Sequence, residues 1–377
     1  MTLRSKPAPF SLHVPDDAIA DLRERLSRTR FPDEPPGIKP WTTGTSLAYM
    51  KELIPYWKDR FDWRAWEAKL NSFKQYKVEV GGIDLHFIHE PGKNKDAIPL
   101  LLSHGWPGSV FEFYKVIPLL TDRFTIVAPS LPGFGLSFAP GQRRLGVEEI
   151  ADVFAELMTD VLGYQRFGAQ GGDWGAFITS RLGLMYPERM VGIHLNLLPL
   201  RREIKKEFSS EQEKTYAQQL AHWLKEESGY LYIQGTKPQT LAYGLTDSPA
   251  GLAGWIGEKF PGWSDSSGQP DKAIKRDELL ANVSLYWFTG AIGSSFWPYY
   301  SRLHSEDWPI PEGRTVDVPA GYVEFPKEIL RPPRSLAEKM FTDLRRWTVE
   351  QKGGHFAALE HPEVLAREIH EFFRTLS

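Results

Sequence analysis

Two rhythms of apolar residues divide the chain. From Ile98 to about Leu198, short continuous apolar runs alternate with helix-period stripes. Leu100-Leu101-Leu102, Phe124-Thr125-Ile126-Val127-Ala128, Arg166-Phe167-Gly168-Ala169-Gln170 and Met190 to Leu198 read as buried strands. Ile150, Val153, Phe154, Leu157 and Val161 share one helix face, and Ala176 to Met185 predicts a second helix. Such alternation predicts an α/β fold with a mostly parallel sheet covered by helices.

The flanking regions follow a different pattern. Val14-Pro15-Asp16-Asp17 opens a helix whose Ile19, Leu22 and Leu26 fall on one side. A proline-rich connector, Phe31 to Gly37, leads to aromatic-rich helical segments at Met50–Trp57 and Trp63–Phe73. Val78 to Ile88 begins the sheet and turns at Gly81-Gly82. After Leu200 the rhythm stops: Arg201 to Lys214 predicts a charged helix, and the region to about Leu303 is helix-rich without clear strands. Strand character returns at Thr315–Phe325 and Arg345–Val349, and a last helix runs from about Pro362 to Leu376. The expected organisation is a helical meander packed on the core (1–92), a first core part (93–200), a helical lid (201–303) and a second core part (304–377).

Composition narrows the chemistry. The 377 residues can bury one large core with an insertion. With 45 Lys plus Arg against 48 Asp plus Glu, no basic excess points to a nucleic-acid partner. The absence of cysteine removes disulfides, thiolate catalysis and cysteine-bound metal. Met1 to Pro9 is polar, with no apolar stretch suited to a signal peptide or membrane span, so a cytoplasmic protein is expected. The aromatic meander is the surface expected to serve if the chain forms a homo-oligomer.

Gly171-Gly172-Asp173-Trp174-Gly175 carries the sharpest signal. It lies between a predicted strand and a predicted helix, where the G-x-S-x-G nucleophile turn places its serine. A carboxylate at that apex attacks to leave an enzyme-bound ester, which suits displacement at saturated carbon. The second half-reaction then needs a base. His355, in Gly353-Gly354-His355-Phe356, follows a predicted strand and precedes the last helix, whereas His361 leads straight into that helix. A base needs an orienting acid. Asp317, Glu324 and Glu328 follow or flank the returning strand, and spacing alone leaves the choice open, with Glu328 just past the strand end. The order nucleophile, acid, histidine is that of α/β-hydrolases. Backbone N–H groups of Trp174 and of Trp106, in His104-Gly105-Trp106-Pro107-Gly108, are the expected oxyanion donors. Metal hydrolysis has no support: no H-E-x-x-H occurs, and His86 and His89 face opposite sides of a predicted strand.

The motifs HGWPGS, GFGLS, GGDWG, FPKE and GGHF, behind a helical N-terminal meander, resemble those of the microsomal-type epoxide hydrolases, including the juvenile-hormone type and bacterial relatives. The likeness runs from about Pro9 to Leu376. It implies an α/β-hydrolase core with a helical lid, no cofactor, a small hydrophobic epoxide as substrate and a vicinal diol as product. It places the nucleophile on Asp173, the acid on Glu328 and the base on His355. It also implies two lid tyrosines bonded to the epoxide oxygen: Tyr230, and Tyr299 with Tyr300 as rival. A phenol of pKa near ~10 stays protonated at neutral pH and can donate to an opening alkoxide. Membrane-bound members carry an apolar anchor before the meander and no such stretch is read here, so the likeness extends to the activity and not to a membrane location. The competing readings are a haloalkane or haloacid dehalogenase with the same aspartate, a catalytically silent hydrolase-fold binding protein and, less supported, a serine-type esterase.

Overall fold

The computed structural model describes residues 6–200, 207–305 and 308–376. The strands are β1 (Ala8–Phe10), β2 (Gln75–Val80), β3 (Ile83–Glu90), β4 (Ile98–Ser103), β5 (Phe124–Pro129), β6 (Phe167–Gly171), β7 (Met190–Leu195), β8 (Ala320–Glu324) and β9 (Leu344–Val349). They form one sheet in the order β1-β2-β3-β5-β4-β6-β7-β8-β9. The first three pairings to β5 are antiparallel and the rest are parallel. Leu100, Leu101 and Leu102 are wholly buried, as expected of a parallel strand covered on both faces. Gly81 and Gly82 both take positive φ (59° and 73°), the backbone a two-residue hairpin turn requires between β2 and β3.

Several elements differ from the sequence expectation. Residues 1–92 contribute three strands to the sheet edge as well as helices, and β1 was not expected at all. Of the charged helix expected over Arg201–Lys214, residues 201–206 lie outside the described residues. The observed helix, Glu211–Glu226, begins only after Ser210, whose side chain accepts from the Glu213 amide at 3.2 Å. The strand expected from Thr315 forms regular pairs only from Ala320, directly after Pro319, which has no N–H to give a ladder. The stripe ending at Val161 is an α-helix, Val147–Glu156, that passes into a π-helical turn, Leu157–Val161.

The N-terminal helices Leu47–Asp59 and Trp63–Asn71 use their aromatics inward. Trp57, Trp63 and Trp66 are buried. Trp57 Nε1 donates to Ser284 Oγ at 3.0 Å on the long helix Arg276–Thr289. That helix holds the loop after β4: Asn282 Nδ2 donates to the Pro107 carbonyl at 2.7 Å, and Tyr286 Oη donates to that of Gly108 at 2.8 Å. The N-terminal helices, this helix and the loop after β4 are therefore bonded in series.

β4 and β6 lie side by side, yet the chain leaves β4 toward β5 and leaves β6 toward β7 on the other side. The crevice beyond their carboxyl ends is the switch point where open α/β sheets assemble their sites.

Candidate active site

The turn after β6 is built by what its glycines exclude. A Cβ on Gly171 would stand 2.1 Å from the Gly175 carbonyl oxygen, and one on Gly175 would stand 1.9 Å from that of Ser103. Only glycine lets the strand, the turn and the loop after β4 pass this closely. Asp173 at the apex has φ 48° and ψ −130°, a strained backbone for a side chain, and directly precedes the helix Trp174–Met185. Its carboxylate thus sits at a helix N-terminus, where the dipole favours negative charge and the first amides have no intrahelical acceptor.

The loop after β4 meets this carboxylate. Trp106 N–H donates to Asp173 Oδ1 at 2.8 Å, and the Trp106-Pro107 peptide is cis. A Cβ on Gly105 would stand 2.2 Å from the same oxygen. His104 holds the loop in place. Its Nε2 accepts from the Leu131 amide at 3.1 Å, which leaves Nδ1 to donate to the Gly105 carbonyl at 3.0 Å. Burial pushes His104 down to about 4, so the ring is neutral and its tautomer is fixed by these bonds.

His355 lies between β9 and the last helix, Pro362–Arg374. Its Nε2 stands 3.5 Å from Asp173 Oδ2, and its Nδ1 is bonded to Glu328 Oε1 at 2.6 Å. Burial alone would lower its pKa, but Glu328 and Asp173 on either side raise it well above the ordinary histidine range. Of the three acids weighed in the sequence, Glu328 is the one against His355. Asp173, His355 and Glu328 therefore form one line of charges. Asp317 bonds Thr342 on the exposed surface, and Glu324 ends β8 half-buried, its pKa raised by burial. His86 and His89 turn away from each other: His86 bonds Ser130 and Gln75, and His89 bonds Tyr164.

The helices Gly229–Thr236 and Trp297–His304 bring in two buried tyrosines, Tyr230 and Tyr299, with ring centroids 5.8 Å apart. Tyr230 stacks on Trp106 at 5.5 Å, and Tyr299 meets Trp174 edge-on at 4.8 Å. Both line a cavity of about 210 Å³ with Asp173, Phe177, Leu231 and Trp308. Tyr300 is not in its lining and stacks instead between Trp297 and His304. A second cavity of about 20 Å³ also touches Asp173 and is bounded by His355, Gln170, Asn196 and Glu112. That is room for about one water molecule among several polar partners.

Comparison with known proteins bears on the family and the fold. Residues 7–113 match the family model described as epoxide hydrolase N terminus, and residues 98–227 match that of the alpha/beta hydrolase fold. The chain is 43% identical to a Stigmatella aurantiaca protein whose epoxide hydrolase name is provisional, with 98% of this chain and 85% of that protein covered. It is 36% identical to epoxide hydrolase 1 of Oryctolagus cuniculus, covering 97% of this chain and 88% of the relative. The chain belongs to the epoxide hydrolase family. Among solved structures, juvenile hormone epoxide hydrolase from the silkworm Bombyx mori superposes with a TM-score of 0.88 at 31% identity, covering 99% of this chain and 96% of that one. No described helix is long and apolar enough to cross a membrane.

In this epoxide hydrolase, three side chains that the motifs did not single out complete the site. Glu112 points its carboxyl at Gly108, so closely that a Cβ there would lie 1.4 Å from its Oε1. Burial pushes it up to about 8, so it is largely protonated at neutral pH. The spacing Ser109-x-x-Glu112 is a capping-box pattern, a legible signal for its placement. Trp263, at the end of the lid helix Lys259–Trp263, accepts the His355 amide at 2.8 Å and packs its ring 5.0 Å from the imidazole. Glu360 accepts from the Asp265 amide at 2.8 Å and from that of Phe356 at 3.1 Å. Asp265 in turn accepts from the Gly353 amide at 3.1 Å. These bonds stitch the segment Lys259–Asp265 to the loop that carries His355, and no local periodicity announces them.

Proposed function

We propose that this epoxide hydrolase adds water to a small hydrophobic epoxide in two steps, with each residue in a named role. Asp173 Oδ1 is held by the Trp106 amide, which leaves Oδ2 as the attacking oxygen. A bond forms from Oδ2 to one ring carbon while that carbon's bond to the epoxide oxygen breaks. Tyr230 and Tyr299 donate to the departing oxygen, supplying its proton as it becomes a hydroxyl. His355, oriented by Glu328, then removes a proton from water, which adds to the ester carbonyl. Trp106 and Trp174 amides hold the resulting oxyanion. Collapse breaks the carbonyl carbon's bond to the substrate oxygen, which takes the proton from His355 as the diol leaves; the second water proton, left on the Asp173 carboxyl, replaces the one the tyrosines gave up, and the carboxylate returns.

The observation that carries this reading is the single line Asp173–His355–Glu328 beneath two tyrosines in one apolar cavity. Forming the ester removes the Asp173 charge, and with it one of the two charges that keep His355 protonated. The base is thus released at the stage that needs it. A cavity of about 210 Å³ exceeds the roughly 150 Å³ that encloses benzene, and so suits an epoxide bearing one ring or a short chain. No cofactor or metal enters any step. A detoxifying role and a cytoplasmic place accompany the proposal, the latter supported by the cysteine-free composition.

Single-turnover hydrolysis in heavy-oxygen water tests it. The label is expected first in the Asp173 carboxylate, read by mass spectrometry of its peptide; label appearing directly in the diol rules out the ester. A dehalogenase is the second reading, favoured by Trp174 Nε1, which is buried without a hydrogen-bond partner among the described residues. Haloalkane assays with halide detection are expected to show no release.

A further inference from the structure

The lid holds a cation that none of these steps uses. Lys259 begins the short helix Lys259–Trp263 and is only 5% exposed. Its ammonium lies 4.4 Å from the ring centroid of Tyr230 and 5.4 Å from that of Trp263, and it pairs with the carboxylate of Glu258. Lysine is almost never enclosed unless something compensates its charge. Here the compensation is one carboxylate and two aromatic faces, and one of those faces belongs to a tyrosine lining the Asp173 cavity.

We propose that Lys259 is a positioning residue for ring opening, its ammonium beside the Tyr230 ring stabilising negative charge as it develops on the phenol and the epoxide oxygen bonded to it. This rests on the reading of Tyr230 as a donor to that oxygen. In the ground state the epoxide oxygen is nearly neutral, whereas in the transition state it approaches an alkoxide. A fixed positive charge beside the donor therefore acts mainly on the transition state, and the partly dry lid screens it little.

Several elements pack around Tyr230. The loop after β4 presents Trp106, the helix Glu211–Glu226 presents Trp223, and the helix Trp297–His304 presents Tyr299. The helix Lys259–Trp263 presents Trp263 and Lys259. Beyond this ring of neighbours, Asp173 and Arg302 line the same cavity, the guanidinium lying over the Trp308 ring, and His355 stands behind Trp263. The Asp173 carboxylate opposes charge on the phenol until the ester forms, and Lys259 favours it throughout. Glu258 partly offsets Lys259, but its side chain is 29% exposed against 6% for the lysine, so water screens the anion more than the cation.

The test combines two readouts. Ring opening of styrene oxide is followed in single turnover, and the Tyr230 phenol is titrated by NMR of ¹³C-labelled tyrosine, assigned through Tyr230→Phe. Lys259→Met is expected to raise the Tyr230 midpoint and the upper limb of the ring-opening pH profile by about one unit. It is expected to slow ring opening on the order of tenfold, the factor that one unit represents. Ester hydrolysis stays within about twofold, because its oxyanion is held by backbone amides. Lys259→Arg restores both midpoint and rate. If Lys259→Met does not fold, Glu258→Gln reads the same field with the opposite sign and lowers the midpoint. An unmoved midpoint in whichever of these variants folds overturns the role of Lys259. A Tyr230→Phe enzyme that opens the ring at full rate overturns instead the donor reading on which it rests.

Discussion

His355 Nε2 stands 3.5 Å from Asp173 Oδ2, too far for a strong hydrogen bond and close enough for the carboxylate to act on the imidazole as a charge. Burial disfavours the imidazolium, but this carboxylate and Glu328 outweigh it and hold the pKa above the ordinary range. The free enzyme is therefore expected to keep His355 protonated through neutral pH. Once Asp173 is an ester, only Glu328 remains and the midpoint falls. Ester hydrolysis, followed in single turnover, should rise with pH through a lower midpoint than NMR titration gives for His355 in the free enzyme. Equal midpoints would remove Asp173 from the control of the base. A histidine whose folded pKa is raised stabilises the fold fully below its unfolded value of ~6.5 and loses that contribution as pH rises through the folded value. The stability lost in Glu328→Gln should accordingly be largest at low pH and shrink as the solution becomes alkaline.

Two substitutions separate the half-reactions. Asp173→Ala is expected to abolish turnover, leaving at most ~0.01% of the wild-type rate, because Asp173 is the carboxylate among the described residues lining the cavity beneath the two tyrosines. His355→Gln keeps the nucleophile and loses the base, so the protein should gain the mass of one substrate molecule and hold it. Intact-protein mass spectrometry reads this directly. An unmodified His355→Gln protein after exposure to excess epoxide would contradict the assigned roles.

Removal of the Glu360 side chain should loosen the join between lid and base. Its two oxygens accept the amides of Asp265 and Phe356, and Glu360→Ala would leave both donors unpaired. At about 1–3 kcal/mol for each buried donor left unmet, partly recovered by water, a loss of roughly 2 kcal/mol is expected in urea unfolding. Turnover should fall with it. A stability change below about 0.5 kcal/mol would show that these bonds contribute little.

The turn at Asp173 makes a contrasting pair of glycines informative. A methyl at Gly175 would press to 1.9 Å from the Ser103 carbonyl oxygen, and this backbone atom cannot step aside. Gly175→Ala should cost about 3 kcal/mol or leave the protein insoluble. Gly244, within the helix Pro238–Asp247, has nothing within 4 Å of such a methyl. Gly244→Ala should instead add about 0.5–1 kcal/mol by restricting the unfolded chain. Differential scanning calorimetry of both variants checks the contrast.

The candidate site residues were legible where a short motif encodes its own geometry. The glycines around Asp173 state a close backbone passage, and the apolar runs of β4 and β6 state two covered faces. His355 was legible as a loop residue after a strand, but spacing did not separate Glu328 from Asp317 and Glu324; the likeness in FPKE and then the 2.6 Å bond did. β1 escaped because three residues, one of them a proline, carry no period, and their pairing with Gln75–Lys77 depends on a partner more than sixty positions away. Trp263, Glu360 and Lys259 escaped for the same reason. Their partners lie on distant elements, and a buried lysine beside a glutamate reads locally as an exposed ion pair.

The stitching of Lys259–Trp263 and Asp265 to the loop of His355 constrains how reactant can enter. A lid that swings wide must either break the bond from the His355 amide to the Trp263 carbonyl or carry the imidazole with it. In the first case opening is penalised, and in the second the proton acceptor leaves its post. An enzyme joined in this way is expected to hydrolyse only while shut, with epoxide and diol passing by the rim farthest from that seam.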